Sequence, residues 1–221
     1  MMDWDAIGLT ARLAGCAALV LLLIGLPMSY WLATTRWHGR VFVEAIVALP
    51  LVLPPTVLGF YLLVAFGPRH GFGQWYSTLT GHLLPFSFGG LLIASVIYSL
   101  PFAVQPFTVA FRSVDPAFLD IARTFGATRL QTFWHVAIPM SWHGILAGVV
   151  LSFAHTLGEF GVVLMVGGNI PCVTRTLSIS IYDQVQSLNY AAAGANSLFL
   201  LLVSFAILSV TYVLQRHFRI A

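Results

Sequence analysis

Glu159 and His155 are the residues of this chain best suited to chemistry. They stand four apart in an apolar run, so on a helix they share a face and can pair. Such a pair can serve as acid and base or ligate a metal, but the rest of an active site is missing. There is no nucleophile with an oriented base and no pair of carboxylates. His135 and His143 lie eight apart, without the spacing of a zinc-binding helix. Cys16 and Cys172 form no CxxC pattern, and no disulfide is expected between them. The ten basic residues are all arginine. Without lysine there is no GxxxxGK[ST] phosphate loop and no Schiff-base chemistry, so any ATP that drives this protein is bound by another chain. No cofactor and no metal are expected here. An intramembrane enzyme built on His155 and Glu159 is the remote alternative.

The elements that position these residues are membrane helices. Of 221 residues, 59% are hydrophobic and 8% charged, and the mean hydropathy is +0.91. A soluble domain carries about 25% charged residues. Five apolar runs, over 13–34, 44–66, 88–110, 145–166 and 192–214, are each long enough to cross a hydrocarbon core about 30 Å thick. The start, MMDWDAIGLTAR, is acidic and no A-x-A cleavage site follows, so the first run reads as a membrane helix rather than a signal peptide. The fold class is all-α: one polytopic transmembrane domain over 1–221.

Arginine placement orients the chain. With the N-terminus outside, the inner segments hold Arg36, Arg40, Arg112, Arg123, Arg129, Arg216 and Arg219, and the outer ones Arg12, Arg69 and Arg175. That asymmetry satisfies the positive-inside rule and places the C-terminal QRHFRIA in the cytoplasm. The net charge of +3 comes without a basic groove and points to no nucleic acid. No internal repeat supports an inverted-repeat secondary transporter.

One long polar segment, 115–139, lies between spans on the cytoplasmic side: DPAFLDIARTFGATRLQTFWHVAIP. Asp115-Pro116 is a helix start, the Asp as cap and the Pro in the first turn. Phe118, Leu119, Ala122 and Phe125 form an apolar face, with Asp120, Arg123 and Thr124 elsewhere. Gly126 ends this helix. A second is expected over 129–136, stopped by Pro139. The product is a short amphipathic knob.

The segment resembles the EAA-x3-G-x9-I-x-L-P loop of ABC importer permeases, whose coupling helix sits in a groove of the nucleotide-binding subunit. Here it reads Asp120-Ile121-Ala122, Gly126 and Val136-Ala137-Ile138-Pro139, with Asp in place of Glu and Ile in place of the first Ala. The resemblance implies coupling roles for Asp120, Ile121, Ala122, Arg123, Phe125, Gly126, Ala127 and Pro139. It narrows further. ALPLVLPPTVLGFYLLVAFG, LGEFGVVLMVGGNIP and TRTLSISIYDQVQ are similar to the molybdate permease subunit, although Cys172-Val173 stand where glycine is expected. That family implies a type I ABC importer permease fold in the bacterial inner (plasma) membrane. It implies a permease homodimer in membrane lipid, a cytoplasmic ATPase dimer, and a periplasmic or extracellular molybdate-binding protein. Sulfate and tungstate permeases are relatives, so these anions are the alternative cargo.

Within the spans, Pro50, Pro54 and Pro55 predict a kinked or locally unwound helix that shapes a path. Thr56, Ser95, Ser99, Ser152 and Thr156 could hydrogen-bond a passing oxyanion weakly, as conduction requires. Pro54, Pro55, Thr56, Ser99, Ser152, Thr156 and Glu159 are therefore the expected path or gate. A fixed carboxylate repels a divalent anion, so Glu159 with His155 is read as a clamp near the outer gate. Asn169, Thr174, Arg175 and Thr176 are outer-loop residues expected to meet the delivery protein or guide the anion. Gly144 and Gly148 hint at a close helix crossing.

Overall fold

Asp3 sets the start of the first helix: its carboxylate accepts from the Ala6 N–H at 3.1 Å, and α1 runs Trp4–Thr34. The first span therefore begins well before residue 13, because the cap rather than the first apolar run decides where the helix begins. The computed structural model describes the backbone of residues 2–217 and the side chains of residues 2–213. Arg216, Arg219 and the QRHFRIA terminus used in the arginine count lie outside the described side chains. The remaining elements are α2 Arg40–Val52, α3 Pro55–Phe66, α4 Gly71–Thr80, α5 Phe88–Arg112, α6 Pro116–Thr124, α7 Arg129–Met140, α8 Trp142–Leu157, α9 Gly161–Gly167, α10 Leu177–Gln186 and α11 Tyr190–His217.

Among the described residues three helices, α1, α5 and α11, are long and apolar enough to cross a membrane alone, and the number reaches five if each bent pair counts as one span. The run 44–66 is two half-helices, α2 and α3, meeting at 112°. This is a sharper break than a proline kink. Leu53, which precedes a proline, is pushed to ψ 135°; Pro54 is also extended, and Pro55 can only open a new helix. Pro50, by contrast, is carried inside α2. The run 145–166 is likewise discontinuous. Its helix α8 closes with tight bonds from Gly158 N–H to His155 O and Glu159 N–H to Thr156 O, and the chain restarts as α9.

α5 is the centre of the bundle, packed against α1, α2, α8 and α9. Phe107 is fully buried and wedged between two glycines. A Cβ on Gly25 of α1 would lie 3.3 Å from its ring, and one on Gly148 of α8 would lie 2.5 Å from it. Gly144, one turn away, faces Ala110 in the same crossing. The Gly144/Gly148 pair thus brings α8 onto α5 within one chain, as small residues do in membranes.

The second helix of the polar segment does not end before Pro139. α7 widens over Phe133–Ala137 into a π turn, in which the Ile138 N–H reaches back to Phe133 O, and helix continues through Met140. In a regular α-helix the Pro139 ring would meet the His135 carbonyl, and the wider turn avoids that clash. The sharp bend comes at Ser141, where α7 and α8 meet at 79°.

Candidate functional site

The knob is built locally. Asp115 accepts from the Ala117 N–H at 2.9 Å and starts α6. Gly126, at φ +84°, ends it with Gly126 N–H bonded to Arg123 O and Ala127 N–H to Ala122 O. This paired cap needs a left-handed residue, which glycine supplies without strain. Thr128 and Gln131 then form a reciprocal capping box that starts α7. Asp120 and Arg123 make an exposed ion pair at 3.3 Å.

The apolar face divides in two. Leu119 turns inward onto the cluster that holds Phe111 and Phe133. Phe118, Ile121 and Leu130 point out, and Phe125 is 89% exposed. α6 buries none of its own residues, so the knob presents a hydrophobic tip that the described residues leave uncovered.

A second site forms where the two broken spans cross. α9 packs on α3, and a Cβ on Gly161 would come within 2.8 Å of Pro55 Cβ. Two breaks about a hundred residues apart in sequence therefore meet, with Pro54, Pro55 and Thr56 exposed beside the junction. Glu159 lies two residues from that contact and is buried. Ser95 Oγ donates to its Oε2 at 2.5 Å, and Ser99 Oγ to its Oε1 at 2.6 Å. His155 Nδ1 is 3.5 Å from Oε1, and the His155 ring stacks on Phe102 at 3.8 Å. The Ser178 hydroxyl holds the Glu159 carbonyl that the helix break leaves free. A buried carboxylate with hydroxyl donors on both oxygens is satisfied and holds α5 against the α8–α9 break.

Of the hydroxyls expected along a path, Thr56 is exposed, whereas the others have internal partners, Ser95 among them. Ser99, Ser152 and Thr156 are buried. Ser152 Oγ donates to Val149 O, Thr156 Oγ1 to Ser152 O, and Ser99 to Glu159. Helix backbone and the carboxylate take their hydrogen bonds, because a hydroxyl sealed in a helix bundle satisfies the nearest acceptor. The Ser95/Ser99 spacing on one face of α5 signals a polar partner in the sequence. Ser178, Phe102 and Tyr98 carry no such signal, since only the folding of α5 and α10 around the break brings them there.

At the end of the bundle opposite the knob, Thr174 and Thr176 are buried rather than presented. Thr174 Oγ1 donates to Gly167 O and accepts from the Ile170 N–H, tying the loop to itself. Arg175 and Asn169 remain accessible: Arg175 Nε donates to Asn169 Oδ1 at 2.6 Å, and Asn169 Nδ2 to Asp183 Oδ1 at 3.2 Å.

Residues 22–220 match the family described as binding-protein-dependent transport system inner membrane component. The chain belongs to that family. It is 49% identical over 211 residues to the molybdenum transport system permease protein ModB of Azotobacter vinelandii, covering 94% of this chain and 93% of the relative. It is 33% identical over 194 residues to the sulfate transport system permease protein CysT of Escherichia coli (strain K12), covering 88% of this chain and 70% of the relative. A solved structure of a bacterial alginate ABC transporter, in complex with an alginate pentasaccharide-bound periplasmic protein, superposes with a TM-score of 0.76 at 21% identity. That match covers 97% of this chain and 78% of the other. This inner membrane component thus has the fold of a type I ABC importer permease, with its two breaks and its exposed knob inside the matched region.

Proposed function

We propose that this chain is the permease subunit of an ABC importer for molybdate. Two copies would form the pathway, a cytoplasmic ATPase dimer would dock on the knob, and a binding protein outside would deliver the anion. The single observation that carries the cargo is the molybdenum permease relative, which is markedly more similar over nearly the whole chain than the sulfate permease. Sulfate remains the second reading because that relative also aligns over most of the chain, and tungstate shares molybdate's charge and shape.

The coupling role falls to the 115–139 segment. Its ion-paired Asp120 and Arg123 and the cap at Ala122, Gly126 and Ala127 fix the shape, while Ile121 and Phe125 supply the apolar tip. Pro139, just after the π turn, sets where the lever joins α8. Closure of the ATPases on ATP would push this lever, and the discontinuous spans would rearrange between inward- and outward-open states.

The crossing of Pro54, Pro55 and Thr56 with Gly161 is the proposed gate. Glu159, Ser99, Ser152 and Thr156 act as the clamp that supports it rather than as contacts for the anion. Asn169 and Arg175, on the outer loop held by Thr174 and Thr176, are the proposed docking residues for the delivery protein. The N-terminus is placed outside and the C-terminus in the cytoplasm. An enzyme built on Glu159 is disfavoured by the two serine hydroxyls already held by its oxygens.

The test is reconstitution of permease, ATPase and binding protein in vesicles, with molybdate uptake measured against tungstate and sulfate competitors. ATP-dependent molybdate uptake that needs all three components is expected. Uphill transport by the permease alone, or uptake of sulfate with none of molybdate, would overturn the reading.

A further inference from the structure

α5 is enclosed along nearly its whole length. Of its 25 residues only Gln105, Val109 and Arg112 are exposed. They stand at i, i+4 and i+7 and form one stripe at the end of the helix next to the knob. Gln105 lies seven residues before Arg112, about 10 Å back along the helix. Its side-chain amide has no hydrogen-bond partner among the described residues.

The lipid-facing surfaces of this protein look different. The exposed mid-helix residues of α1 and α11 include Leu19, Leu23, Ile24, Leu201, Leu202 and Phe205. An amide offers two donors and an acceptor, and hydrocarbon satisfies none of them. A free, exposed amide at this depth belongs on a surface that water reaches.

The surroundings agree. Two open hollows, of about 490 Å³ and about 520 Å³, flank the stripe, and Gln105 and Val109 line both. At the rim of the first, Arg112 pairs with Glu44 of α2 at 2.5 Å. Farther up the same stripe, Phe102 and Tyr98 lay their rings against His155 and screen the buried Glu159 carboxylate from this side.

We propose that the Gln105–Val109–Arg112 stripe is the wall of a water-filled passage on the coupling side, and that the Gln105 amide is a transient donor to the passing tetrahedral oxyanion. At the mouth, the pairing of Arg112 with Glu44 cancels its net charge, so the arginine offers the anion its remaining N–H donors without trapping it, as a conducting surface requires. This rests on the reading that the chain carries a divalent oxyanion and that the knob faces the cytoplasm.

The experiment has one arm independent of cargo. Gln105→Cys is introduced with Cys16 and Cys172 replaced by serine, and the permease is assembled with its ATPase in vesicles. A negatively charged, membrane-impermeant thiol reagent is then added on the ATPase side, with Leu201→Cys as the lipid-facing control. The Gln105→Cys thiol should react and the Leu201→Cys thiol should not. If the Gln105→Cys thiol is unreactive both with and without ATP, or becomes cross-linked between copies without reacting, lipid or the second copy covers the stripe and the proposal is overturned. In the unsubstituted protein, hydroxyl radicals should oxidise the Val109 side chain, and protection there has the same meaning.

The second arm compares molybdate uptake by Gln105→Glu and Gln105→Leu. The added charge should cut uptake about tenfold below the leucine variant by repelling a divalent anion, while ATP hydrolysis stimulated by the binding protein stays within about twofold, since Gln105 lies about 10 Å back along α5 from the end that meets the knob. Equal, wild-type uptake by both variants overturns the donor role. Loss of molybdate uptake in the unsubstituted assembly would instead refute the cargo, leaving the thiol arm to judge the passage.

Discussion

Truncating Phe125 to alanine should cripple coupling while leaving the permease folded. The ring is 89% exposed, so its own chain has little packing to lose. If it enters an apolar groove of the ATPase, its burial contributes about 1.5–3 kcal/mol. At about 1.4 kcal/mol per factor of ten, Phe125→Ala should weaken ATPase binding by about tenfold to about 150-fold. Leu119, one turn and a half earlier on α6, is the contrast: it packs inward against the cluster of Phe111 and Phe133. Leu119→Ala should therefore act through the fold, costing about 2 kcal/mol or more of permease stability. The assay is titration of the ATPase onto the permease in lipid nanodiscs, alongside thermal stability of each variant and uptake in vesicles. Wild-type affinity and uptake for Phe125→Ala would refute the docking argument. So would a Phe125→Ala variant whose lost uptake tracks lost thermal stability, because the ring would then be structural.

Three further outcomes follow from contacts described above. Gly161→Val should abolish uptake with the protein still inserted, because its Cβ would press on Pro55 at 2.8 Å where the two broken spans cross; normal uptake would mean the crossing is not a gate. Gly126→Ala meets open space but must hold φ +84°, costing about 1–2 kcal/mol. It should speed hydrogen exchange at the Ala127 amide by about fivefold to about thirtyfold, and unchanged exchange would show that the cap is not under strain. A double-mutant cycle of Ser99→Ala with Glu159→Gln, read by thermal stability, should give a coupling of about 1 kcal/mol or more; additivity would mean that the 2.6 Å bond carries no weight.

The sequence alone settled where the apolar runs and the polar knob lie, because each is a local matter, but it showed neither the size of the breaks within two of the runs nor the short helices α4 and α10, which fall in stretches with no apolar run. Asp115-Pro116, Gly126 and the scarcity of charge across the apolar runs fix a polar knob between membrane helices through backbone chemistry and desolvation. The consecutive prolines Pro54 and Pro55 announced a disruption, yet not its size. A 112° turn between α2 and α3 depends on what α3 then packs against, and that partner, α9, is far away in the chain.

Tertiary structure decided where polar groups would find their partners. Ser99, Ser152 and Thr156 look alike in the sequence as free hydroxyls, but enclosure in the bundle commits each to an internal acceptor, and Thr174 and Thr176 are lost to the outer surface in the same way. Gln105 has the opposite fate: one polar residue among apolar neighbours, left unpaired because the surrounding helices open there. Local rules are set within a helical turn, whereas burial depends on the whole packing, so only the folded chain distinguishes a hydroxyl that holds the bundle together from an amide left exposed.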